Sequence, residues 1–442
     1  MPAAESNVEV RHELLERMVQ ARAETDKLFE LVKPDSLYAR PIPERHRMVF
    51  YIGHLEAFDW NLLRERAINA RPFHPEFDHL FAFGIDPADG ALPSDQPADW
   101  PPISEVQKYV RHIRETLDER LTTGSPSDLA NNGFGASTLL NVAIEHRLMH
   151  AETLAYMLHQ LPLERKIPQT AKNQPITPVV TPKMVEIPAG RATLGLSRTR
   201  GGFGWDNEFE EHSVKVPAFA IDKYKTTNRQ YVEFLNSGGY DEREYWADAD
   251  WDWKTKQNIT RPVFWRTVNG QWLLRTMFNE IPLPLDWPVY VSHAEANAYA
   301  RWAGKQLPTE AQWHRAAYGT YEEIENSYPW GGASLNEKLG NFNFERWDPT
   351  PVNAFPHVLS AFGVADLLGN GWEWTSSIFT PFAGFQPFPF YRGYSADFFD
   401  GKHFVIKGGS PRTAACMLRH SFRNWFQPHY QYVYAGFRCV SN

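Results

Sequence analysis

The residues of this chain best suited to chemistry are two histidines, His146 and His150, spaced four positions apart. On a helix this spacing puts both imidazoles on one face, one turn apart, which is a chelating geometry. Val142 and Met157 lie on the same face, where a ring nitrogen without a partner would be costly to bury. His54 lies beside the apolar stripe of an earlier helical segment and is the candidate third ligand. The pattern predicts a metal site built from three imidazoles.

A buried histidine also has an ordinary structural use, because its ring commonly hydrogen-bonds a backbone carbonyl. The chain has 16 histidines, so a pair with this spacing can arise by chance. Metal ligands differ in having outer partners that accept the second ring N–H. The candidate acceptors are four acids close in sequence to the histidines: Glu56, Asp59, Glu145 and Glu152. These acids are equally suited to a helix surface, so the residues alone leave both interpretations open.

Composition narrows the kind of site and partner. Only Cys416 and Cys439 are present, too few for a disulfide framework or a thiolate zinc site, so histidine or carboxylate must hold any metal. The net charge of -8 argues against a broad nucleic-acid surface. No stretch approaches the roughly 18 apolar residues of a membrane span, and the N-terminus shows no basic run followed by an apolar core. We therefore expect a cytoplasmic protein with small-molecule partners, and neither nucleic acid nor a membrane.

Four blocks of helical periodicity must position the histidines. Apolar residues recur at helical spacing over four segments, namely 14–32, 51–62, 106–121 and 139–157. Four amphipathic helices of this kind predict a four-helix bundle. The connection 71–102 is rich in proline and aspartate, and we predict a loop there.

A change of composition marks a domain boundary after the fourth helix. Residues 166–188 are rich in proline and lack periodicity, which predicts an extended linker. Short β-branched and aromatic runs between glycine turns follow, which is typical of an α+β domain. The predicted organisation is a helical bundle over residues 1–165, the linker, and an α+β domain over residues 189–442. We expect the active site in the cleft between the domains, where ligand pockets often lie.

Motifs in both domains resemble known families. The helix IEHRLMHAETLAYMLHQLP resembles the HxxxHxE signature of DinB-type bundles, and GHLEAFDWNLL resembles the helix that supplies their third histidine. Downstream, PAGRATLGL, FGVADLLGNGWEWTSS and YAGFRC resemble the formylglycine-generating-enzyme family, which implies a scaffold of the C-type-lectin kind. The two domains in this order resemble the ergothioneine-biosynthetic sulfoxide synthases, including their selenoneine synthase branch, over nearly the whole chain.

This resemblance implies an Fe(II)- and O2-dependent oxygenase that joins sulfur or selenium to the imidazole C2 of hercynine, the trimethylated betaine of histidine. It implies that His54, His146 and His150 ligate Fe(II) and leave open positions on the ion. The segment PFYRGYS matches the two-tyrosine loop of the family. The match implies that Tyr391 and Tyr394 are both catalytic. Tyr391 stands at the position of the family's catalytic tyrosine and is favoured as the proton donor, with Tyr394 as the alternative.

The segment SFRNWFQP matches the family's hercynine-binding residues. It implies that Asn424 and Trp425 contact the betaine, with Trp425 holding the quaternary ammonium by cation-π attraction. Phe426 stands where members that take γ-glutamylcysteine have Asp, and Met149 stands where several members have Gln, so this pocket is more apolar. The connection 77–96 also lacks the arginines that clamp the carboxylates of that donor. We therefore expect a selenosugar or cysteine as donor, rather than γ-glutamylcysteine.

Three other functions compete with this interpretation. A DinB-type bundle with three histidines also binds Zn²⁺, and a zinc-dependent thiol transferase or hydrolase would act without O2. A formylglycine-generating oxidase needs a closely spaced reactive cysteine pair, whereas Cys416 and Cys439 are far apart in the sequence. A non-enzymatic binding protein of the C-type-lectin kind would tolerate loss of His54 or His146.

Overall fold

The computed structural model describes residues 2–83, 92–123, 135–170, 172–199 and 201–441, with side chains from residue 11 onward except that of Phe83. The chain divides into two compact units, Met1–Gln169 and Thr170–Asn442. The first is helical and the second combines short strands with helices, so the predicted fold class is confirmed. Within the described ranges, no helix has both the length and the apolar content needed to cross a membrane.

The first unit is a bundle in which the second and fifth helices carry the histidines. Its helices are α1 (Pro2–Glu30), α2 (Met48–Leu63), α3 (Pro75–Phe83), α4 (Ile103–Thr123) and α5 (Ala136–Gln160). Helix α5 packs against α1 and α2, and α2 also packs against α3 and α4. Because α2 and α5 are neighbours in the bundle, His54 faces the histidine pair of α5.

The apolar stripes read from the sequence form the core of this unit. On α4, Val106, Ile113 and Leu117 recur at helical spacing and are all fully buried. Leu28 of α1 and Leu154 of α5 are buried with them. Each such side chain contributes roughly 1.5–3 kcal/mol by leaving water, so the packed stripes hold these helices together more strongly than local helix propensity does.

The prediction of a loop over residues 71–102 was wrong, because α3 lies inside it. The helix is only nine residues long, and the proline and aspartate around it hide its pattern. Phe77 and Phe81, one turn apart, are buried against the bundle. Tertiary packing of these rings stabilises a helix too short to form by itself. Residues 84–91 of the same connection, which belong to the segment without arginine, lie outside the described residues.

The described part of the second unit is built from short strands and four α-helices. Its strands are β1 (Met184–Ile187), β2 (Gly190–Leu194), β3 (His212–Val216), β4 (Phe219–Asp222), β5 (Trp265–Val268), β6 (Gln271–Arg275), β7 (Glu280–Pro282), β8 (Trp372–Ile378), β9 (Phe404–Lys407), β10 (Asn424–Phe426), β11 (Ala435–Gly436) and β12 (Val440–Ser441). Its helices are α6 (Asn228–Asn236), α7 (Asp248–Lys256), α8 (His293–Trp302) and α9 (Glu310–Tyr318). The strands form sheets in the orders β1-β4-β12, β10-β9-β8-β11, β2-β3 and β5-β6-β7.

The linker predicted for residues 166–188 extends too far, because its last residues form β1. Val185 of this strand pairs with Ile221 of β4 in antiparallel register, and Ile187 is buried. The strand is four residues long and follows a proline-rich run. Its partner lies more than thirty positions downstream in the sequence, so local composition could not reveal the pairing.

Capping boxes fix where three helices of the second unit begin. Thr227 starts α6, Ser292 starts α8 and Thr309 starts α9, and each side chain accepts a hydrogen bond from the backbone N–H three residues later. The side chain of the residue at that third position in turn accepts a hydrogen bond from the backbone N–H of the cap residue. Such reciprocal bonds satisfy donors that a helix otherwise leaves without partners. The helices are therefore positioned by their own sequences as well as by the core.

Candidate metal centre and substrate-binding residues

Helices α2 and α5 bring the three predicted ligands together in the first unit. The Nε2 atoms of His54 and His150 are 3.2 Å apart, and one ring nitrogen from each of His54, His146 and His150 lies within 4.8 Å of the others. Two nitrogens bound to one ion at about 2.1 Å lie about 3.0–3.4 Å apart. The spacing of His54 and His150 therefore fits ligation of a single ion.

The protonation of His54 follows from its hydrogen bond to the backbone of α3. Its Nδ1 lies 2.7 Å from the carbonyl oxygen of Phe81. A carbonyl can only accept, so Nδ1 carries the proton and Nε2 keeps its lone pair. Burial lowers the pKa of His54 to about 4. The ring is neutral at pH 7 and presents a ligand atom toward His150.

Burial keeps the other two imidazoles neutral as well. It holds the pKa values of His146 and His150 well below the ordinary value, and the neighbouring histidines lower both further. Aromatic rings surround the set: Phe58 stacks on His146 with centroids 3.4 Å apart, and Phe50 stacks on His54 at 4.8 Å. Neutral imidazoles are the form that binds metal. The three residues present therefore fit a divalent ion that accepts nitrogen ligands.

The hypothesis that Glu56 and Asp59 accept from the histidines was wrong. Arg147 Nη2 lies 2.9 Å from Glu56 Oε2 and 2.6 Å from Asp59 Oδ2, with all three side chains buried. Burial by itself would raise the pKa of Glu56, but Arg147 and Arg114 outweigh it and lower the pKa to about 2. Both acids are therefore partners of Arg147 in a buried ion-pair network, rather than acceptors for the histidine rings.

The remaining bundle residues singled out in the sequence all lie on α5. Glu145 and Glu152 are buried on this helix. Met149 lies on the same helix between the two histidines and is half-buried. Phe81 was not identified from the sequence, because its contribution is a backbone carbonyl that any residue type could supply.

The available signal was the spacing of Phe77 and Phe81, two apolar residues one helical turn apart.

In the second unit, the two-tyrosine loop and β10 lie against each other. The Tyr391 and Tyr394 ring centroids are 5.6 Å apart, and Tyr394 meets Trp425 edge-on at 5.5 Å. Tyr394 is buried and stacks on Trp205 at 3.9 Å. Tyr391 is only half-buried. Tyr394 is thus packed between two tryptophans, whereas the Tyr391 ring is the more accessible.

A buried aspartate that sequence reasoning missed holds the tyrosine loop. Asp206 Oδ1 accepts a hydrogen bond from Ser395 Oγ at 2.6 Å, and Oδ2 accepts from the Phe388 N–H at 3.3 Å. Burial, together with Asp206, raises the pKa of Tyr391 to about 12. The phenol therefore keeps its proton near neutral pH and is able to donate it. An acid in the run WDNE gave no sequence signal for this role.

Strand β10 carries the residues that match the betaine-binding segment. Asn424, Trp425 and Phe426 pair with Ile406, Val405 and Phe404 of β9. All three β10 side chains are half-buried.

The three side chains of β10 differ in their neighbours. Trp425 stacks on Phe379 with centroids 4.1 Å apart, and Phe426 stacks on Tyr430 at 5.2 Å. The Asn424 Oδ1 accepts a hydrogen bond from the Trp425 N–H at 2.9 Å. The surroundings of Phe426 are therefore aromatic.

Family models match both units. The DinB superfamily matches residues 17–154, and the sulfatase-modifying factor enzyme 1-like domain matches residues 169–442. These matches agree with a helical N-terminal unit and an α+β C-terminal unit.

Relatives match along nearly the whole chain. The hercynine oxygenase of Mycolicibacterium thermoresistibile is 32% identical over 97% of this chain and 95% of that protein. The hercynine oxygenase of Mycolicibacterium smegmatis is 32% identical over 97% of this chain and 99% of that protein. Ergothioneine biosynthesis protein 1 of Neurospora crassa is 29% identical over 93% of this chain and 55% of that protein. The chain therefore belongs to the hercynine oxygenase family, with a DinB-type domain followed by a sulfatase-modifying-factor-type domain.

Proposed function

We propose that this protein is an Fe(II)- and O2-dependent oxygenase that forms a C–S or C–Se bond at the imidazole C2 of hercynine. The observation that carries the proposal is the convergence of His54, His146 and His150 within 4.8 Å in the first unit. Family membership supports hercynine as the substrate, because the two relatives matched from end to end are hercynine oxygenases.

The three histidines would hold the iron through their neutral ring nitrogens. Fe(II), when bound, supplies redox chemistry with O2 and a Lewis-acid centre for the substrates. The chain itself supplies a largely apolar, aromatic surround in which Phe58 and Phe50 cover the rings of His146 and His54. Such a surround keeps water away from the ligands and fixes the planes of their rings.

We assign binding of the hercynine betaine to Asn424 and Trp425. Trp425 is half-buried and backed on Phe379, so its ring is held in place and can attract a quaternary ammonium by cation-π interaction. We assign proton donation to Tyr391, whose pKa of about 12 keeps the phenol protonated. Tyr394 then positions the loop by packing its ring between Trp205 and Trp425.

We propose that the donor is a selenosugar or cysteine rather than γ-glutamylcysteine. A dicarboxylate donor needs cationic partners. Arg40 and Arg47 of the first unit already pair with the buried carboxylate of Asp95. At the other end of the chain, Phe426 stacks on Tyr430 and offers no charge. Arg40, Arg47 and Phe426 therefore give no support to a second donor carboxylate, which favours a neutral or small donor.

The function is tested with metal-free protein reconstituted anaerobically with Fe(II). The protein is given hercynine, O2 and one donor at a time: cysteine, γ-glutamylcysteine or a selenosugar. Product mass and oxygen uptake are then recorded. We expect turnover that consumes O2 with cysteine or the selenosugar. Turnover without O2 in the Zn²⁺-loaded protein would instead support a thiol transferase or hydrolase, and turnover with γ-glutamylcysteine alone would contradict the donor assignment.

The metal assignment is tested by a pair of histidine variants. His146→Ala should bind less iron per chain than the wild type and should lose turnover, because one of the three ligands is gone. His12 is an exposed histidine of α1 that pairs with Glu16, and His12→Ala should behave as the wild type. Full activity in His146→Ala would contradict the assignment of this residue as a metal ligand.

A further inference from the structure

Helix α3 touches the proposed metal centre through one atom, the carbonyl oxygen of Phe81. This oxygen accepts the Nδ1–H of His54 at 2.7 Å. Ligating histidines generally donate their second N–H to such an acceptor, which fixes the tautomer and the ring orientation. A backbone carbonyl can do this only if the helix that carries it is held at the correct distance.

Gly53, the residue before His54, sets that distance on the α2 side. A Cβ atom added to Gly53 would lie 2.4 Å from the Phe81 ring, closer than real Cβ contacts allow. Phe81 itself is fully buried, so its ring has little room to withdraw. Glycine inside a helix is destabilising relative to alanine. Its presence here is explained by the close approach of α3.

Asp78 anchors α3 from two sides. Its carboxylate accepts a hydrogen bond from the Tyr109 hydroxyl of α4 at 2.7 Å. Its backbone carbonyl accepts a hydrogen bond from the Asn61 amide of α2 at 2.9 Å. Tyr109 is buried, and its ring lies 6.0 Å from the ring of Phe81. The helix that carries the Phe81 carbonyl is thus fastened to both of its neighbours.

We propose that the Phe81 carbonyl, kept in place by Gly53 and by the Tyr109–Asp78 hydrogen bond, is the positioning group that fixes His54 as the Nδ1-protonated tautomer. The Nε2 lone pair of His54 is then aimed at the metal before the ion arrives. This inference rests on the proposed metal centre for its purpose. The tautomer itself is a property of the metal-free protein and is measured there.

The test begins with ¹⁵N NMR of full-length, metal-free protein labelled at histidine. We expect a His54 ring protonated at Nδ1, with its proton protected from exchange, assigned by its absence in His54→Gln. A His54 ring protonated at Nε2 would overturn the inference. Because no metal is added, this result does not depend on whether the protein uses iron or acts on hercynine.

Two variants then loosen α3 without changing a ligand. Gly53→Ala places a methyl group against the Phe81 ring, and Tyr109→Phe removes one anchoring hydroxyl. Titration with Co(II), followed by the visible spectrum of the bound ion, should show affinity about 10–100-fold weaker in Gly53→Ala and about 10-fold weaker in Tyr109→Phe. The Nδ1 proton of His54 should exchange faster in both.

Matched controls separate positioning from general loss of packing. Gly135→Ala introduces the same methyl group at the start of α5, where the nearest atom would be 3.7 Å away. Tyr38→Phe removes a hydroxyl that donates to the Pro101 carbonyl at 2.9 Å. Both controls should keep the wild-type Co(II) affinity and spectrum.

A double variant tests directly whether Gly53 acts through the Phe81 ring. Phe81→Leu shortens the side chain while retaining the backbone carbonyl. The effect of Gly53→Ala on Co(II) affinity should be smaller in this background than with Phe81 present. Wild-type affinity and exchange in both Gly53→Ala and Tyr109→Phe, or losses that the two controls reproduce, would overturn the proposal.

Discussion

Arg147 Nη2 lies 2.6 Å from the carboxylate of Asp59, with side chains that are 1% and 0% exposed. The same guanidinium reaches Glu56 and donates to the carbonyl of Leu55 at 3.0 Å. Arg147 follows His146 directly, and Leu55 follows His54. The ion pair therefore joins α5 to α2 next to two of the proposed ligands.

Removing this arginine should destabilise the first unit strongly. Arg147→Met leaves two carboxylates buried without their main counter-charge, and breaking a buried pair in this way costs about 3–5 kcal/mol. Urea denaturation measures the loss in the free energy of unfolding. Lys27→Met is the control, since Lys27 pairs with Glu24 at an exposed position and such pairs contribute at most about 1 kcal/mol. Equal losses in the two variants would contradict a structural role for the Arg147 network.

Trp425 should govern the affinity for hercynine through the positive charge of the trimethylammonium group. Trp425→Ala should bind hercynine about 2- to 30-fold more weakly, the range of a cation-π contact, and Trp425→Phe should retain part of the affinity. Calorimetric titration measures both. The discriminating ligand is histidine, whose primary ammonium is more strongly hydrated than the trimethylammonium group and lacks its three methyl groups, so histidine should lose less affinity in Trp425→Ala. Trp330→Ala, which removes a ring stacked on Tyr328, should leave hercynine affinity unchanged.

Tyr391 should affect the rate more than binding. Tyr391→Phe removes the phenol proton while keeping the ring, and kcat should fall by about 10²–10⁴-fold with little change in hercynine affinity. Tyr394→Phe is the matched comparison, since Tyr394 is packed between Trp205 and Trp425 and should lose less. Steady-state kinetics of the iron-loaded protein distinguish them. A larger loss of kcat in Tyr394→Phe would reverse the two assignments.

Because of Lys407, the free energy of unfolding of the second unit should rise with pH in the alkaline range. Its side chain is 3% exposed, and burial lowers its pKa from 10.5 to about 8. Between these values the unfolded chain holds the proton and the folded chain does not, so stability rises with pH across that window. Relative to Lys407→Met, the wild type should gain about 3 kcal/mol of unfolding free energy from pH 8 to 10.5.

Urea denaturation of both proteins across this pH range checks the Lys407 prediction. Taking the difference between wild type and variant cancels other groups that titrate in the same range. Lys183 is exposed, and Lys183→Met should follow the wild type throughout. A difference between wild type and Lys407→Met that stays flat with pH would contradict the prediction.

Much of the fold was predictable because its signals are local. The helical spacing of apolar residues predicted α1, α2, α4 and α5, since one stripe of each helix must leave water. Composition predicted an α+β second unit, because short β-branched runs between glycine turns favour strands. Helix α3 and strand β1 escaped prediction because each is short and is stabilised by residues distant in the sequence.

The sequence by itself determined the His146–His150 pair, because a four-residue spacing on a helix fixes their shared face whatever surrounds it. Only the tertiary structure decided that His54 lies beside this pair. It also decided that Arg147 pairs with Glu56 and Asp59, and that Asp206 accepts hydrogen bonds from the loop of Tyr391. Phe81 illustrates the reason. Its carbonyl lies 27 positions from His54 in the sequence, and a backbone oxygen has no residue type to mark it. Such contacts exist only once helices pack, and it is these contacts that turn a chelating pair into an oriented set of three ligands.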